Sequence, residues 1–339
     1  MIISGLLCGI LLGFVMQRGR FCITGAFRDM YLTKSSKMFI AFLIVIAIQA
    51  VGVLSLQEAG VLAPKVKNFA LIATVIGGFI FGLGIVMAGG CSAGSLYRAG
   101  EGLIGSWIAF FVYMIFSVMF RAGPMQDFTK SMRGITVEQQ TIYGTLGVSP
   151  WVLVSILVVV TTFLAFRSQS KTKVKIAQLK PKKTGLAHIL FEKRWHPFVS
   201  ATLMGVIAVL AWVTSVQTGR NGGLGITGPT VQTLQYITTG DSKFINWGTL
   251  LILGILIGGF IAAKLSNEFK LRVPTVKEVK HNVAGGALMG VGASLAGGCT
   301  IGNGLVETAL FSWQGWIALP LMVFGTWVAA YFLYLRNPA

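Results

Sequence analysis

Nine long apolar segments follow one another along the chain, and the shorter stretches between them hold most of the charged residues. Each segment is close to the ~20 residues that a helix needs to cross about 30 Å of hydrocarbon. The pattern therefore predicts an all-α polytopic membrane protein with about nine transmembrane helices. The predicted spans are 1–17, 38–56, 69–88, 103–120, 150–166, 198–216, 245–263, 282–297 and 313–335.

Composition agrees with this prediction. Of the 339 residues, 54% are hydrophobic and only 11% are charged, whereas soluble proteins average about 25% charged residues. No basic residue precedes the first apolar segment, so we interpret it as a span and not as a cleaved secretory signal.

The net charge of +18 is distributed between the loops in a way that predicts orientation. When the loops are assigned alternately to two sides, one side collects 21 Lys and Arg residues and the other 7. The positive-inside rule then places the N-terminus in the periplasm and the C-terminus in the cytoplasm of a bacterial inner membrane. The basic 167–194 loop becomes cytoplasmic, where it would contact anionic membrane lipids or dock an acidic cytosolic protein. We expect no nucleic-acid partner.

Short motifs recur in the same order in the two halves of the chain. "QRGRFCITGAFRD" (17–29) is echoed by "QTGRNGGLGITGPT" (217–230), and "AGGC" stands at both 88–91 and 296–299. We therefore predict a first repeat over 1–120, a connecting region over 121–197 and a second repeat over 198–339. Five spans precede the second repeat, an odd number, so the repeats should be inverted relative to each other, as in many transporters.

Glycines interrupt the apolar segments within these motifs. Close helix packing is one explanation, since small residues let backbones approach in lipid. The alternative is that the glycines break the helices and expose N–H groups at the start of a new half-helix, which suits a small anion. The candidate glycines and their small polar neighbours are Gly89, Gly90, Ser92, Gly94, Ser95, Gly297, Gly298 and Thr300.

Three of the four cysteines lie in these motifs, namely Cys22, Cys91 and Cys299, whereas Cys8 lies in a plain apolar segment. The chain has no CxxC motif and no Cys/His cluster, so we expect no metal and no cofactor. A thiol is a soft, weak hydrogen-bond donor that would bind a sulfur-ended anion loosely enough to release it. Candidate electrostatic partners are Arg20, Arg28 and Arg98. From the residues alone, the prediction is a transporter or channel for a small anionic solute.

The segments "RGRFCITGAFRD", "AGGCSAGSLYRAGEG" and "AGGCTIGNGL" resemble the signature motifs of the YeeE/YedE membrane proteins, the bacterial thiosulfate transporters. This resemblance implies an hourglass-shaped helical protein that imports thiosulfate and is not an enzyme. It also implies Cys22, Cys91 and Cys299 as relay positions, and a small TusA-like sulfur-carrier protein as a cytoplasmic partner. Some members are linked instead to selenium or to other sulfur compounds.

Two other functions stay open at this point. The first is a membrane sulfurtransferase that takes sulfane sulfur onto cysteine as a persulfide, which a lowered thiol pKa near Arg28 or Arg98 would favour. The second is a membrane anchor that recruits a soluble sulfurtransferase through the 167–194 loop. For the transporter we predict that thiosulfate binds non-covalently. Its terminal sulfur would face Cys91, and its oxygens would face N–H groups between Gly89 and Ser95.

Overall fold

The computed structural model describes residues 2–170, 185 and 188–336, and in these ranges the chain is helical, with three isolated β-bridges and no strand. Most of the basic 167–194 loop and the N-terminal Met1, both used in the orientation argument, lie outside the described residues. The helices are α1 (Ile3–Arg18), α2 (Ile23–Leu32), α3 (Lys37–Glu58), α4 (Leu71–Met87), α5 (Ser92–Gly100), α6 (Ile104–Ala122), α7 (Gln126–Gly134), α8 (Ile142–Leu146), α9 (Pro150–Ser170), α10 (Pro197–Val216), α11 (Thr227–Thr239), α12 (Trp247–Leu265), α13 (Val276–Leu295) and α14 (Trp313–Ala330).

Each of the nine predicted spans corresponds to a long helix. Within the described residues, eight segments are long and apolar enough to cross a membrane, so the chain is a multi-pass membrane protein. The predicted ninth span is α13, whose first two turns are polar. It begins at Val276 and not at residue 282, because Thr275 and Glu278 form a capping box: Thr275 Oγ1 accepts from the Glu278 N–H at 3.3 Å, and Glu278 Oε2 accepts from the Thr275 N–H at 2.7 Å. His281, just before the predicted span 282–297, therefore lies within the helix.

Glycines bring α1 and α12 into close contact. A Cβ added to Gly9 would lie 2.3 Å from Leu251 O, and one added to Gly13 would lie 2.2 Å from Ile255 O. A Cβ on Gly258 would in turn lie 2.1 Å from Ile10 O. Close helix packing therefore explains these glycines, which lie outside the cysteine motifs and were not among the candidate site residues.

The helix contacts are reciprocal between the two halves of the chain. Helix α1 packs on α12 as α10 packs on α3, and α4 packs on α14 as α13 packs on α6. Helices α4 and α13 also pack on each other, as do α1 and α10. Two repeats related by a two-fold axis would give this arrangement, which supports the predicted repeat. Helix α9 packs chiefly on α3 and takes no part in the reciprocal pairs.

Candidate functional site

Both Gly-Gly-Cys segments begin at the end of a long helix. Helix α4 ends at Met87 and α13 at Leu295, and the first glycine of each following pair has a left-handed backbone: φ is +68° at Gly89 and +74° at Gly297. A left-handed glycine just after the last helical residues is a common way to terminate a helix, because other residues rarely adopt that conformation. The predicted helix breaks are therefore present in both halves.

Cys22 and Cys91 are the N-cap residues of the short helices α2 and α5. Cys22 Sγ accepts a hydrogen bond from the Gly25 N–H at 3.4 Å, and Cys91 Sγ accepts one from the Gly94 N–H at the same distance. A Cβ on Gly94 would lie 3.4 Å from Cys91 Sγ, so glycine at this position keeps the thiol approachable. The sequence analysis missed the underlying pattern, which is Cys-x-x-Gly in "CITG", "CSAG" and "CTIG", with "GITG" at the fourth motif position.

The segment after Cys299 folds differently from its counterpart. It forms a π-helical turn over Gly302–Glu307 in place of a short α-helix, an element that often occurs at functional sites. Asn303 fixes the preceding loop, because its side-chain amide donates to Ala296 O at 2.8 Å and to Gly298 O at 3.1 Å. Asn303 is fully buried. The sequence signal for its role in fixing the loop is a single amide side chain inside an apolar segment.

The three motif thiols come together around a buried centre. Cys91 and Cys299 are both 0% exposed and Cys22 is 9% exposed. Cys91 interacts electrostatically with each of the other two thiols and lies beside Thr300. All four cysteines of the chain are free thiols. Cys91 therefore lies near enough to Cys22 and to Cys299, the other two predicted relay positions, to interact electrostatically with both.

Several hydroxyl groups in this centre are buried and have no hydrogen-bond partner among the described residues. They are Ser92 Oγ, Ser95 Oγ and Thr300 Oγ1, all on the predicted site residues; Ser92 lies near the Tyr113 hydroxyl and Thr300 near the Cys91 thiol, without a well-formed hydrogen bond to either. Buried polar atoms are normally hydrogen-bonded, so unpaired hydroxyls beside the thiols are available to a ligand. The backbone donors are partly used, since Gly94 N–H binds Cys91 Sγ and Ser95 N–H donates to Cys91 O at 2.7 Å. The donors that remain at this helix start are the first-turn N–H groups.

A cavity of about 380 Å³, here called the Cys22 vestibule, lies against Cys22. The three predicted arginines, Arg20, Arg28 and Arg98, line it. Two further arginines, Arg18 and Arg194, and two carboxylates, Asp29 and Glu268, complete its charged lining. The carboxylates neutralise only part of this charge, with Asp29 on Arg28 at 2.9 Å and Glu268 on Arg20 at 2.7 Å. The vestibule is thus positively charged beside the thiol.

Arg98 also holds the first helix break in place. Its guanidinium donates to the carbonyl oxygen of Gly89 and lies over the Tyr97 ring, 5.9 Å from the ring centroid. It interacts electrostatically with the Cys22 thiol as well. Arg98 therefore connects the Gly-Gly-Cys91 segment to the Cys22 vestibule.

A second cavity of about 190 Å³, here called the glycine vestibule, lies against the other Gly-Gly-Cys segment. Gly225, Gly297, Gly298 and Gly302 line it, and its cations are Lys65, Lys67, Arg121 and Arg220. None of these four cations was predicted as a site residue. Arg121 interacts electrostatically with the Cys299 thiol. Burial lowers the pKa of Arg220, yet a guanidinium stays charged at neutral pH.

Lys67 closes one edge of the glycine vestibule. Its ammonium group lies 3.0 Å from Glu307 Oε1 and donates to Gly297 O at 3.5 Å. The Glu307 side chain is 3% exposed, whereas that of Lys67 is 41% exposed. Arg133 supports the same segment by donating to Leu295 O at 2.9 Å. No short-range sequence signal pointed to Lys67, which pairs with a residue 240 positions away.

The predicted alternation of spans puts the end of α1 and the end of α3 on opposite sides of the membrane. Cys22 follows the end of α1, whereas Lys65 and Lys67 follow the end of α3. Under the predicted orientation, the Cys22 vestibule opens to the cytoplasm and the glycine vestibule to the periplasm. The thiols of Cys91 and Cys299 are fully buried and line neither vestibule.

Comparison with known proteins gives consistent relatives along the whole chain. A family model described as sulphur transport matches residues 18–328. The chain is 54% identical over 336 residues to a thiosulfate transporter TsuA of Escherichia coli, covering 99% of this chain and 96% of that one. It is 33% identical over 350 residues to a thiosulfate transporter TsuA of Spirochaeta thermophila, covering 99% and 100%. A probable transporter YedE of Escherichia coli is 43% identical over 102 residues, covering 30% of this chain and 25% of that one.

Proposed function

The chain belongs to the sulphur-transport family, and from that premise we propose that it imports thiosulfate across the bacterial inner membrane. The observation that carries this proposal is the set of three neighbouring thiols in a buried centre between two positively charged vestibules. Near-full-length identity to a protein named thiosulfate transporter supports the substrate. The N-terminus is periplasmic and the C-terminus cytoplasmic in this proposal.

The proposed route begins in the glycine vestibule, where Arg121 and Arg220 attract the dianion. Thiosulfate then passes Cys299, Cys91 and Cys22 in turn and leaves through the Cys22 vestibule. The order is supported by the electrostatic interactions of Cys299 with Arg121 and of Cys22 with Arg98, and by those of Cys91 with both other thiols. Several weak stations allow faster passage than one tight site.

Contact at each station is non-covalent in this proposal. At Cys22 and Cys91 a backbone N–H already donates to the sulfur, so the thiol hydrogen is left to point at the ligand. The soft terminal sulfur of thiosulfate accepts this weak bond. Its oxygens take hydrogen bonds from the unpaired hydroxyls of Ser92, Ser95 and Thr300 and from the N–H groups of the helix start.

Delivery to a cytosolic sulfur carrier completes the proposal. A small TusA-like protein would approach the side on which Arg194 lies, beside the mouth of the Cys22 vestibule. Positive charge there would steer both the carrier and the anion. Lipids surrounding the spans would be the other partners.

Uptake of ³⁵S-labelled thiosulfate into proteoliposomes containing only this protein tests the proposal. We expect time-dependent accumulation, which a tenfold excess of unlabelled thiosulfate abolishes and a tenfold excess of sulfate leaves largely intact, because sulfate has no soft end. Liposomes with the Cys22, Cys91 and Cys299 triple alanine variant are the matched control. Absence of uptake by folded wild-type protein, or equal competition by sulfate, would refute the assignment.

A further inference from the structure

A third cavity, of about 970 Å³, lies beside the Cys22 vestibule. Gly89 and Arg98 line both cavities and form the boundary between them. The remaining walls come from the end of α4, the start of α6, the segment before α13 with its first turns, and the π-helical turn Tyr331–Arg336 that follows α14. We call it the α13 cavity. It has no role in the proposed thiosulfate route.

The α13 cavity is positively charged. Arg272, Lys277 and His281 line it together with Arg98. Its one carboxylate, Glu278, is engaged in the helix cap, where it accepts from the Thr275 N–H at 2.7 Å and from Thr275 Oγ1 at 3.0 Å. Among the ion pairs of the described residues, none includes Arg272 or Lys277. These cations therefore lack a counter-charge within the described chain.

The same cavity has an apolar wall. Val86, Leu103, Val273 and Leu333 line it alongside the cations. The volume is far larger than a small inorganic anion needs, since one water molecule occupies about 30 Å³. A ligand with an anionic head and apolar tails matches this mixed lining. Basic pockets between transmembrane helices on the cytoplasmic side are known to hold lipid head groups.

We propose that the α13 cavity binds the head group of an anionic phospholipid, phosphatidylglycerol or a related diacyl lipid. Its phosphate lies between Arg272 and Lys277, and the first carbons of its acyl chains lie on Val273 and Leu333. The predicted orientation places the cavity on the cytoplasmic side of the protein, where α6 and α13 begin and α14 ends.

The lipid site is linked to the thiol motifs through backbone hydrogen bonds. The Arg272 N–H donates to Gly102 O at 3.0 Å, and the Ile104 N–H donates to Arg272 O at 3.1 Å. Glu101, next to Gly102, pairs with Arg20 in the Cys22 vestibule at 2.9 Å. A lipid held at Arg272 therefore stabilises the segment that ends the first Gly-Gly-Cys motif. The proposal does not depend on which anion the protein transports.

Native mass spectrometry of the full-length protein tests the site. Protein extracted from nanodiscs of phosphatidylcholine with 20% phosphatidylglycerol should retain phosphatidylglycerol at least fivefold more than its share of the bilayer predicts. The double variant Arg272→Gln, Lys277→Gln should lower this retention at least fivefold. Lys280→Gln is the matched control, because Lys280 is also exposed on α13 but does not line the cavity, and it should leave retention unchanged.

Three outcomes overturn the proposal. Wild-type protein that retains phosphatidylcholine as well as phosphatidylglycerol has only an apolar groove. Displacement of phosphatidylglycerol by 5 mM inorganic phosphate indicates a site for small anions and not for lipid. Unchanged retention in the double variant places the lipid elsewhere. Thermal unfolding in detergent checks that the double variant is folded. If the variant does not fold, the retention of phosphatidylglycerol over phosphatidylcholine by the wild-type protein still tests the proposal.

Discussion

Replacing Cys91 with Ser separates the chemical role of the thiol from its structural role. Cys91 caps α5 through the 3.4 Å hydrogen bond from the Gly94 N–H, and serine is among the best residues for an N-cap. Cys91→Ser therefore keeps the cap, and we expect the free energy of unfolding to change by less than about 1 kcal/mol. Cys91→Ala removes the cap, which should lower the free energy of unfolding by about 0.5–2 kcal/mol. The small cavity left by the sulfur should lower it by roughly 0.5 kcal/mol more, at ~24 cal/mol per Å³.

Uptake should not follow this order of stability. Serine replaces a soft, weak donor with a hard oxygen, so we expect the initial rate of thiosulfate uptake to fall at least tenfold in both variants, or about 1.4 kcal/mol in free energy. The assay is initial uptake into proteoliposomes at equal protein content, with thermal unfolding measured on the same preparations. Cys8→Ser is the control, since Cys8 lies 3.7 Å from Thr214 Oγ1 and lines neither vestibule. Uptake by Cys91→Ser within twofold of the wild type would refute the role of the thiol.

Four further outcomes follow from the same contacts. Lys67→Met should lower the free energy of unfolding by about 1–3 kcal/mol, because it leaves the buried Glu307 carboxylate unpaired, and adding Glu307→Gln should restore part of it in thermal unfolding. Gly297→Ala should abolish uptake and lower the unfolding temperature, because its Cβ would lie 2.2 Å from Arg133 Nη1 and the backbone φ is +74°. Gly134→Ala should change neither quantity, because the space around its added Cβ is open. Intact-mass measurement after incubation with thiosulfate should show no adduct of about 32 Da, and a persulfide formed and discharged at the turnover rate would favour the sulfurtransferase mechanism. Reporter fusions after α9 should be cytoplasmic, and a periplasmic result would contradict the nine-span orientation.

Features set by local sequence were predictable. The helix breaks at Gly89 and Gly297 follow from a Gly-Gly pair behind a long apolar segment, because a left-handed residue after the last turn favours glycine. The long helices follow from the length of the apolar segments. The start of α13 was missed because its first two turns are polar, and the capping box of Thr275 and Glu278 sets that boundary.

Features set by long-range packing were not predictable. Lys67 and Glu307 are far apart in the sequence and meet only because α4 packs on α13 and α14. Arg121 lies at the end of a span, where an arginine usually marks only the interface, yet it interacts electrostatically with the Cys299 thiol. Arg220 stands in the repeat opposite Arg20, and the repeat alone could have nominated it. Because the positions of Lys67 and Arg121 depend on long-range packing, the glycine vestibule could be recognised only in the three-dimensional structure.

The two cysteine caps are unusual in a way that bears on function. Serine, threonine, aspartate and asparagine are the preferred N-cap residues, and any of them would satisfy the first turns of α2 and α5 better than a thiol does. The chain instead has cysteine at both positions and keeps glycine three residues later, where it leaves space beside the sulfur. Local rules are usually broken where a site needs a particular chemistry. A weak cap used twice, beside a third thiol and a set of unpaired hydroxyls, is better explained by a ligand that prefers sulfur than by the needs of helix stability.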